Sequence, residues 1–180
     1  LSGELATLLS GRYVSFRIAP FSFKEVVELK NLQTKEEIKQ EFLEYILWGG
    51  MPQRFEFPNE ESMKTFLKDI FNSIVLKDIV KRYNIKNVTI FERIMEYLVI
   101  NPSQVFSIKN MLVEFEKENI PISTKTVYES LDYAEASMLM IKASEYDIRG
   151  KRILSRKDKY YLTDLGLGQI LNTNKKAQYG

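Results

Sequence analysis

The chain holds 180 residues, 44% of them hydrophobic, 12% aromatic and 28% charged, with a formal net charge of +2. It contains neither cysteine nor histidine, which excludes disulfides, thiolate chemistry, zinc fingers, histidine metal sites and any Ser-His-Asp triad. No apolar run approaches the ~20 residues needed to cross a bilayer, so a cytoplasmic protein with no membrane partner is expected, built as one large domain or two small ones.

Residues 1–11 read as helix, with Leu5, Leu8 and Leu9 on one face and Gly11 at its end. The alternation of Tyr13-Val14-Ser15-Phe16-Arg17-Ile18 predicts a strand closed by Pro20. Ser22 with Glu25, then Thr34 with Glu37, have capping-box spacing and predict helices over 23–29 and 34–48. In the second of these Ile38, Phe42, Tyr45 and Ile46 are expected to face inward, and Gly49-Gly50-Met51-Pro52 must break it. Asn59 caps a long helix over 60–83, whose acids at the start and Lys81-Arg82 at the end suit the helix dipole. The polar stretch 84–87 is the expected boundary between two domains.

Beyond it, helices are expected over 89–100, after Ser107, and over 124–137, followed by a strand over 138–146, a turn, and a returning strand over 153–162. Three helices and a hairpin in this order predict a winged helix-turn-helix, so the fold class is mainly α with small β. Residues 169–180 turn polar and are expected to fray.

In such a fold the third helix enters the major groove by its N-terminal turns and the wing follows the backbone. Ser123, Thr124, Lys125, Thr126 and Tyr128 would then meet phosphates or base edges. The wing offers Lys142, Arg149, Lys151, Arg152, Arg156, Lys157 and Lys159 against Glu145, Asp147 and Asp158, the largest local basic excess in the chain. Against this, Glu129, Asp132 and Glu135 would repel phosphates, and the third helix lacks the Arg, Asn or Gln of bidentate base readers. Two uses of this surface therefore stay open: backbone-dominated, salt-sensitive DNA contact, and packing or protein partners.

No phosphate-cradling loop of the form GxxxxGK[ST] occurs; the lone Gly150-Lys151 pair continues into Arg152. These residues alone are not expected to form an enzyme. The scattered carboxylates lack the clustered spacing of a metal site, and none is expected.

Leu5-Ala6-Thr7-Leu8-Leu9-Ser10-Gly11-Arg12, Pro20-Phe21-Ser22-Phe23-Lys24-Glu25, Leu47-Trp48-Gly49-Gly50-Met51-Pro52, Leu76-Lys77-Asp78-Ile79-Val80 and Tyr161-Leu162-Thr163-Asp164-Leu165-Gly166-Leu167 follow one another along the chain. In that order they resemble the archaeal-type ATPases of the AAA+ superfamily, in their lid and C-terminal region. The resemblance implies that 1–33 is a remnant of an ATPase core, 34–87 a helical lid, 88–168 the winged helix and 169–180 a polar tail. It further implies a fragment whose P-loop domain, missing here, would act in cis as the ATPase, with ATP and Mg²⁺ as cofactors of the full-length protein and none held by the fragment. By position Arg12 resembles an arginine finger, which would act on a nucleotide bound by a neighbouring subunit of a homo-oligomer. Gly49 and Gly50 either approach nucleotide or simply reverse the chain between lid helices. Lid and winged helix would couple nucleotide state to DNA or partner binding. The alternatives are a free-standing winged-helix DNA-binding regulator and an interaction module without nucleic-acid contact.

Overall fold

The computed structural model describes the backbone at residues 14, 16–101, 106–148, 150 and 152–176, with side chains described at all of these except 75–77, 100, 147, 152–157 and 171–176. The described chain is mainly helical with one small antiparallel sheet.

Local capping chemistry sets the first two helices. In α1 (Phe23–Leu29) and α2 (Lys35–Trp48), Ser22 and Thr34 accept the backbone N–H of Glu25 and Glu37, and each glutamate reaches back to its cap residue. A 3₁₀ turn (Pro52–Glu56) leads to α3 (Glu60–Asn72), capped by Asn59, whose side chain accepts the Ser62 N–H. α3 runs without interruption into a π-helical segment (Ser73–Val80) and a last turn, α4 (Lys81–Tyr83). The long helix expected over 60–83 is thus one rod of three local windings. Three further helices follow, α5 (Val88–Ile100), α6 (Ile108–Lys117) and α7 (Thr124–Ala136). The hairpin of β1 (Met140–Asp147) and β2 (Arg152–Leu162) comes next, then α8 (Leu165–Lys176).

Four of these helical stretches stop in the same manner. Asn31, Asn84, Asn119 and Met138 take positive φ, and the next residue donates its N–H five residues back: Leu32 to Val27, Ile85 to Val80, Ile120 to Phe115 and Leu139 to Ala134. This turn satisfies the last carbonyls of a helix and favours Gly or Asn at the left-handed position. Asparagine fills three of the four places. α2 ends differently: Gly49 has φ 72° and ψ −159°, a region open essentially to glycine alone.

One apolar cluster spans the described chain. Trp48, Leu67 and Phe71 from the first half and Met95, Leu131 and Leu167 from the second belong to it. α8 sits among these parts, packed on α2, α3, α5 and β2. Tyr83, at the end of the rod, stacks flat on Tyr133 of α7, with ring centroids 3.9 Å apart. Packing therefore continues across the 84–87 link.

Three expectations are corrected. Phe42 and Ile46 of α2 are 46% and 41% exposed, and Glu41 and Trp48 are buried instead; the helix is rotated so that Glu41 meets two cations. The described residues of the expected 13–18 strand lie in no sheet, and Val14, Phe16 and Ile18 are exposed; no partner strand is paired with them, and a lone strand has no ladder to hold it. The residues read as a polar tail from 169 are helical through Lys176, because Leu167 and Ile170 bury one side of α8 in the common core; residues 177–180 lie outside the described set. No helix among the described residues is long and apolar enough to cross a membrane.

Candidate functional site

α7 presents the face proposed for recognition. Its cap, Ser123, accepts the Thr126 N–H at 3.1 Å and shares a hydroxyl contact of 2.9 Å with Thr126. Val127, Ser130, Leu131 and Ala134 point inward, the Ser130 hydroxyl donating to the Thr126 carbonyl at 2.7 Å. That leaves Thr124, Lys125, Tyr128, Asp132 and Glu135 exposed. Lys125 lies 3.7 Å from Glu129, one helical turn on. Of the predicted α7 residues, Ser123 and Thr126 are thus engaged with each other, while Thr124, Lys125 and Tyr128 are open to solvent.

The hairpin adds a mixed surface. Met140 pairs with Leu162 and Asp147 with Arg152, and the register shifts between Ala143 and Glu145. Lys142 sits 3.4 Å from Asp158, which also accepts the Ser144 hydroxyl at 2.7 Å. Tyr160 is buried edge-on to Phe106; burial, reinforced by Asp158, Glu135 and Asp132, pushes its phenol far above the ordinary range. Lys159, half-buried, pairs in register with Ala143. Arg152, Arg156 and Lys157 belong to β2. Arg149 and Lys151 lie outside the described residues, as does Arg12. The opposite hairpin face exposes the cross-strand pair Ile141 and Tyr161.

Beneath this surface lies a junction that joins two motifs far apart in sequence. Asp164, 3% exposed, accepts the Gly166 N–H at 2.8 Å through Oδ1, capping α8. Its Oδ2 accepts the Gly50 N–H at 2.7 Å, across 114 positions. A Cβ on Gly49 would lie 2.0 Å from Asp164 Oδ1, one on Gly50 2.0 Å from the Phe21 carbonyl oxygen, and one on Gly166 2.4 Å from the Trp48 carbonyl oxygen. Phe21 in turn donates its N–H to the Gly50 carbonyl at 2.9 Å, and its carbonyl accepts the Tyr45 hydroxyl at 2.8 Å. Burial raises the Asp164 carboxyl above its usual range, opposed by the N–H groups of Gly50, Gly166 and Leu167 and by the Arg54 charge.

Next to this junction is an ionic triad in which Glu41 and Arg54 are buried and Lys30 is exposed. Glu41 accepts from Arg54 at 2.7 Å and from Lys30 at 2.5 Å. Arg54, 4% exposed, also donates to the Glu44 carbonyl at 3.3 Å and lies over the Phe55 ring at 4.4 Å. Sequence reasoning gives no role to Glu41 or Arg54, and quotes Asp164 only within the motif 161–167. The available signals were an acid directly before Leu165-Gly166, in N-cap position, and a lone glutamate between apolar positions of α2. Among the described residues no cluster of acids could hold a metal ion.

Residues 39–178 match the Domain of unknown function (DUF8612). The chain belongs to this family. It is similar, at 38% identity over 180 residues, to an "Uncharacterized protein" of Haemophilus influenzae, covering 99% of this chain and 45% of that one. It is also similar, at 32% identity over 164 residues, to "Uncharacterized protein MJ1544" of Methanocaldococcus jannaschii, covering 85% of this chain and 36% of that protein. The chain spans less than half the length of these curated relatives. No solved structure matches it. The DUF8612 region takes in both sides of the Asp164 junction, α7 and the hairpin, and leaves out Arg12.

Proposed function

We propose that this DUF8612 chain is the lid and winged-helix output segment of an ATP-driven AAA+-type protein, coupling nucleotide state to DNA or partner binding. The observation that carries the reading is the order of α5, α6 and α7 running directly into an antiparallel hairpin, with the output surface joined to the Gly49-Gly50 turn through Asp164. The archaeal-type ATPase resemblance supplies the rest. ATP and Mg²⁺ would be held by elements other than these 180 residues, which contain no P-loop. Arg12 would act as the finger toward a neighbouring subunit. Gly49 and Gly50 serve the turn rather than nucleotide, because an approaching polyphosphate would meet the Asp164 carboxylate at that backbone.

Two measurements test this. In the full-length protein, Arg12→Ala should lower ATP turnover by about 10³-fold or more if it stabilises transition-state charge; unchanged turnover removes the finger. In low salt, changing Arg149, Lys151 and Arg152 together to glutamate should abolish binding to duplex DNA. Wild-type binding should weaken steeply as salt rises. A second reading, a protein-interaction module without nucleic acid, is favoured by the Lys125–Glu129 pair and the exposed Asp132 and Glu135. Failure of the wild-type chain to bind DNA at low salt would decide for it.

A further inference from the structure

We infer that Asp164 and the Gly49-Gly50 turn form a clasp that makes the first-half helices and the α7–hairpin surface one rigid body, with α8 as the strut between them. The sequence places a boundary between two domains at 84–87, where a hinge would stand if the halves could swing. The geometry argues against swinging.

A hinge needs a seam that can open, and three close approaches shut this one. Asp164 spends both oxygens on backbone N–H groups, one on its own helix and one on the far half. Gly49 and Gly166 bring the two chain segments so near that neither has room for a single carbon: at Gly49 that carbon would meet Asp164, at Gly166 the Trp48 carbonyl. Trp48 itself is buried in the core cluster that continues into Met95 and Leu167. Opening the seam would break the hydrogen bond from the Gly50 N–H to Asp164 and uncover the buried Trp48 face, and returning apolar surface to water is disfavoured. The rod ending at Tyr83 is stacked on Tyr133 of α7 as well. Two separated attachments, the clasp and the stack, remove the rotation that a single attachment would leave. Asp164 is therefore a positioning residue: it fixes where α7 and the hairpin stand relative to α1 and α2, whether the ligand of that surface is DNA or protein.

The chain lacks cysteine, so two introduced thiols can be labelled without background. With Glu36→Cys on α2 and Asp132→Cys on α7, both exposed, spin-label distance measurements on the full chain should give one narrow distribution. Asp164→Ala should broaden that distribution several-fold while helix content by circular dichroism stays near wild type. Asp164→Asn, which keeps one acceptor oxygen but turns an N–H₂ group toward a backbone N–H, should broaden it as well. A broad distribution in the background with Asp164 intact overturns the inference, and this arm needs no variant at Asp164 to fold. A distribution as narrow in Asp164→Ala as in that background overturns it equally, because a residue that merely adds stability would lower the melting point without loosening the geometry.

Discussion

The neighbourhood of Glu41, Arg54 and Asp164 and the outer face of α7 with the hairpin use the same residue types to opposite ends. Around Glu41 and Asp164 the carboxylates are buried, and each is held by several fixed donors. On α7, Lys125 and Glu129 stand 3.7 Å apart in solvent, and Asp132 and Glu135 are exposed. A buried acid with fixed donors has one place to be, so it specifies geometry. Surface pairs are worth at most about 1 kcal/mol and rearrange easily, which suits a face that must exchange water for a ligand. The difference assigns architecture to the junction and leaves the outer face free to rearrange.

The sharpest way to break this contrast is to remove an acid from each region. Glu41→Ala leaves Arg54 buried with its ionic partner gone, and losing one member of a buried pair costs about 3–5 kcal/mol. Glu129→Ala removes an acid from a solvent-exposed pair and should change stability by less than about 0.5 kcal/mol. Urea unfolding followed by fluorescence of Trp48, the single tryptophan, measures both. Equal effects would mean that the triad is not the fixed structure described.

Gly49→Ala comes next. The positive-φ, extended-ψ backbone alone costs a side chain about 1–3 kcal/mol, and the new Cβ also collides with Asp164. Combining Gly49→Ala with Asp164→Ala should recover the collision part but not the backbone part, so the double variant should be more stable than the sum of the two predicts. Strict additivity in the same urea assay would deny that the two residues touch.

Much of this was legible in the sequence, and what was legible was local. Ser22 with Glu25 and Thr34 with Glu37 announce their capping boxes within four residues, and Asn59, Ser107 and Ser123 announce their caps directly. The long rod and the hairpin follow from periodicity. The buried face of α2 is not legible in sequence, because Phe42 and Ile46 advertise burial more loudly than Glu41, whose partners Lys30 and Arg54 lie outside the helix. The Gly49-Gly50 turn was visible, with a chain reversal among its readings, but its partner Asp164 stands 114 positions away and no spacing rule reaches that far. The stretch from 169 reads as a tail because Asn172, Thr173, Asn174, Lys175 and Lys176 are polar; the buried side of α8 rests on a few residues near its start.

A smaller effect, of the opposite sign, is expected where Met138 holds the left-handed position after α7. Such a conformation costs a non-glycine residue roughly 1–2 kcal/mol, while glycine adds backbone entropy to the unfolded chain. Met138→Gly should therefore stabilise by less than about 1 kcal/mol, seen as a higher urea midpoint with unchanged slope. A lower midpoint would show that Met138, half-exposed as it is, makes packing contacts that outweigh the strain.

The smallest effects lie in acid, and they separate the surface caps from the clasp by sign. Glu25 and Glu37 are held below their ordinary value of 4.5, first by the backbone N–H groups of Ser22 and Thr34 and then by those residues' hydroxyls. A carboxyl depressed in the folded state binds fewer protons there than in the unfolded chain, so its stabilisation is present above 4.5 and lost as pH falls through the folded value. Asp164 is raised by burial, so its linkage runs the other way, complete below its unfolded value and lost as pH climbs through the folded one. Where the two windows overlap, around the ordinary carboxylate range, the two contributions oppose each other. The pair Glu25→Gln and Glu37→Gln should remove the rising limb of stability against pH, and Asp164→Asn should remove the falling limb. If both variants changed the slope in the same direction, the caps and the clasp could not be the differently placed carboxylates that the comparison requires.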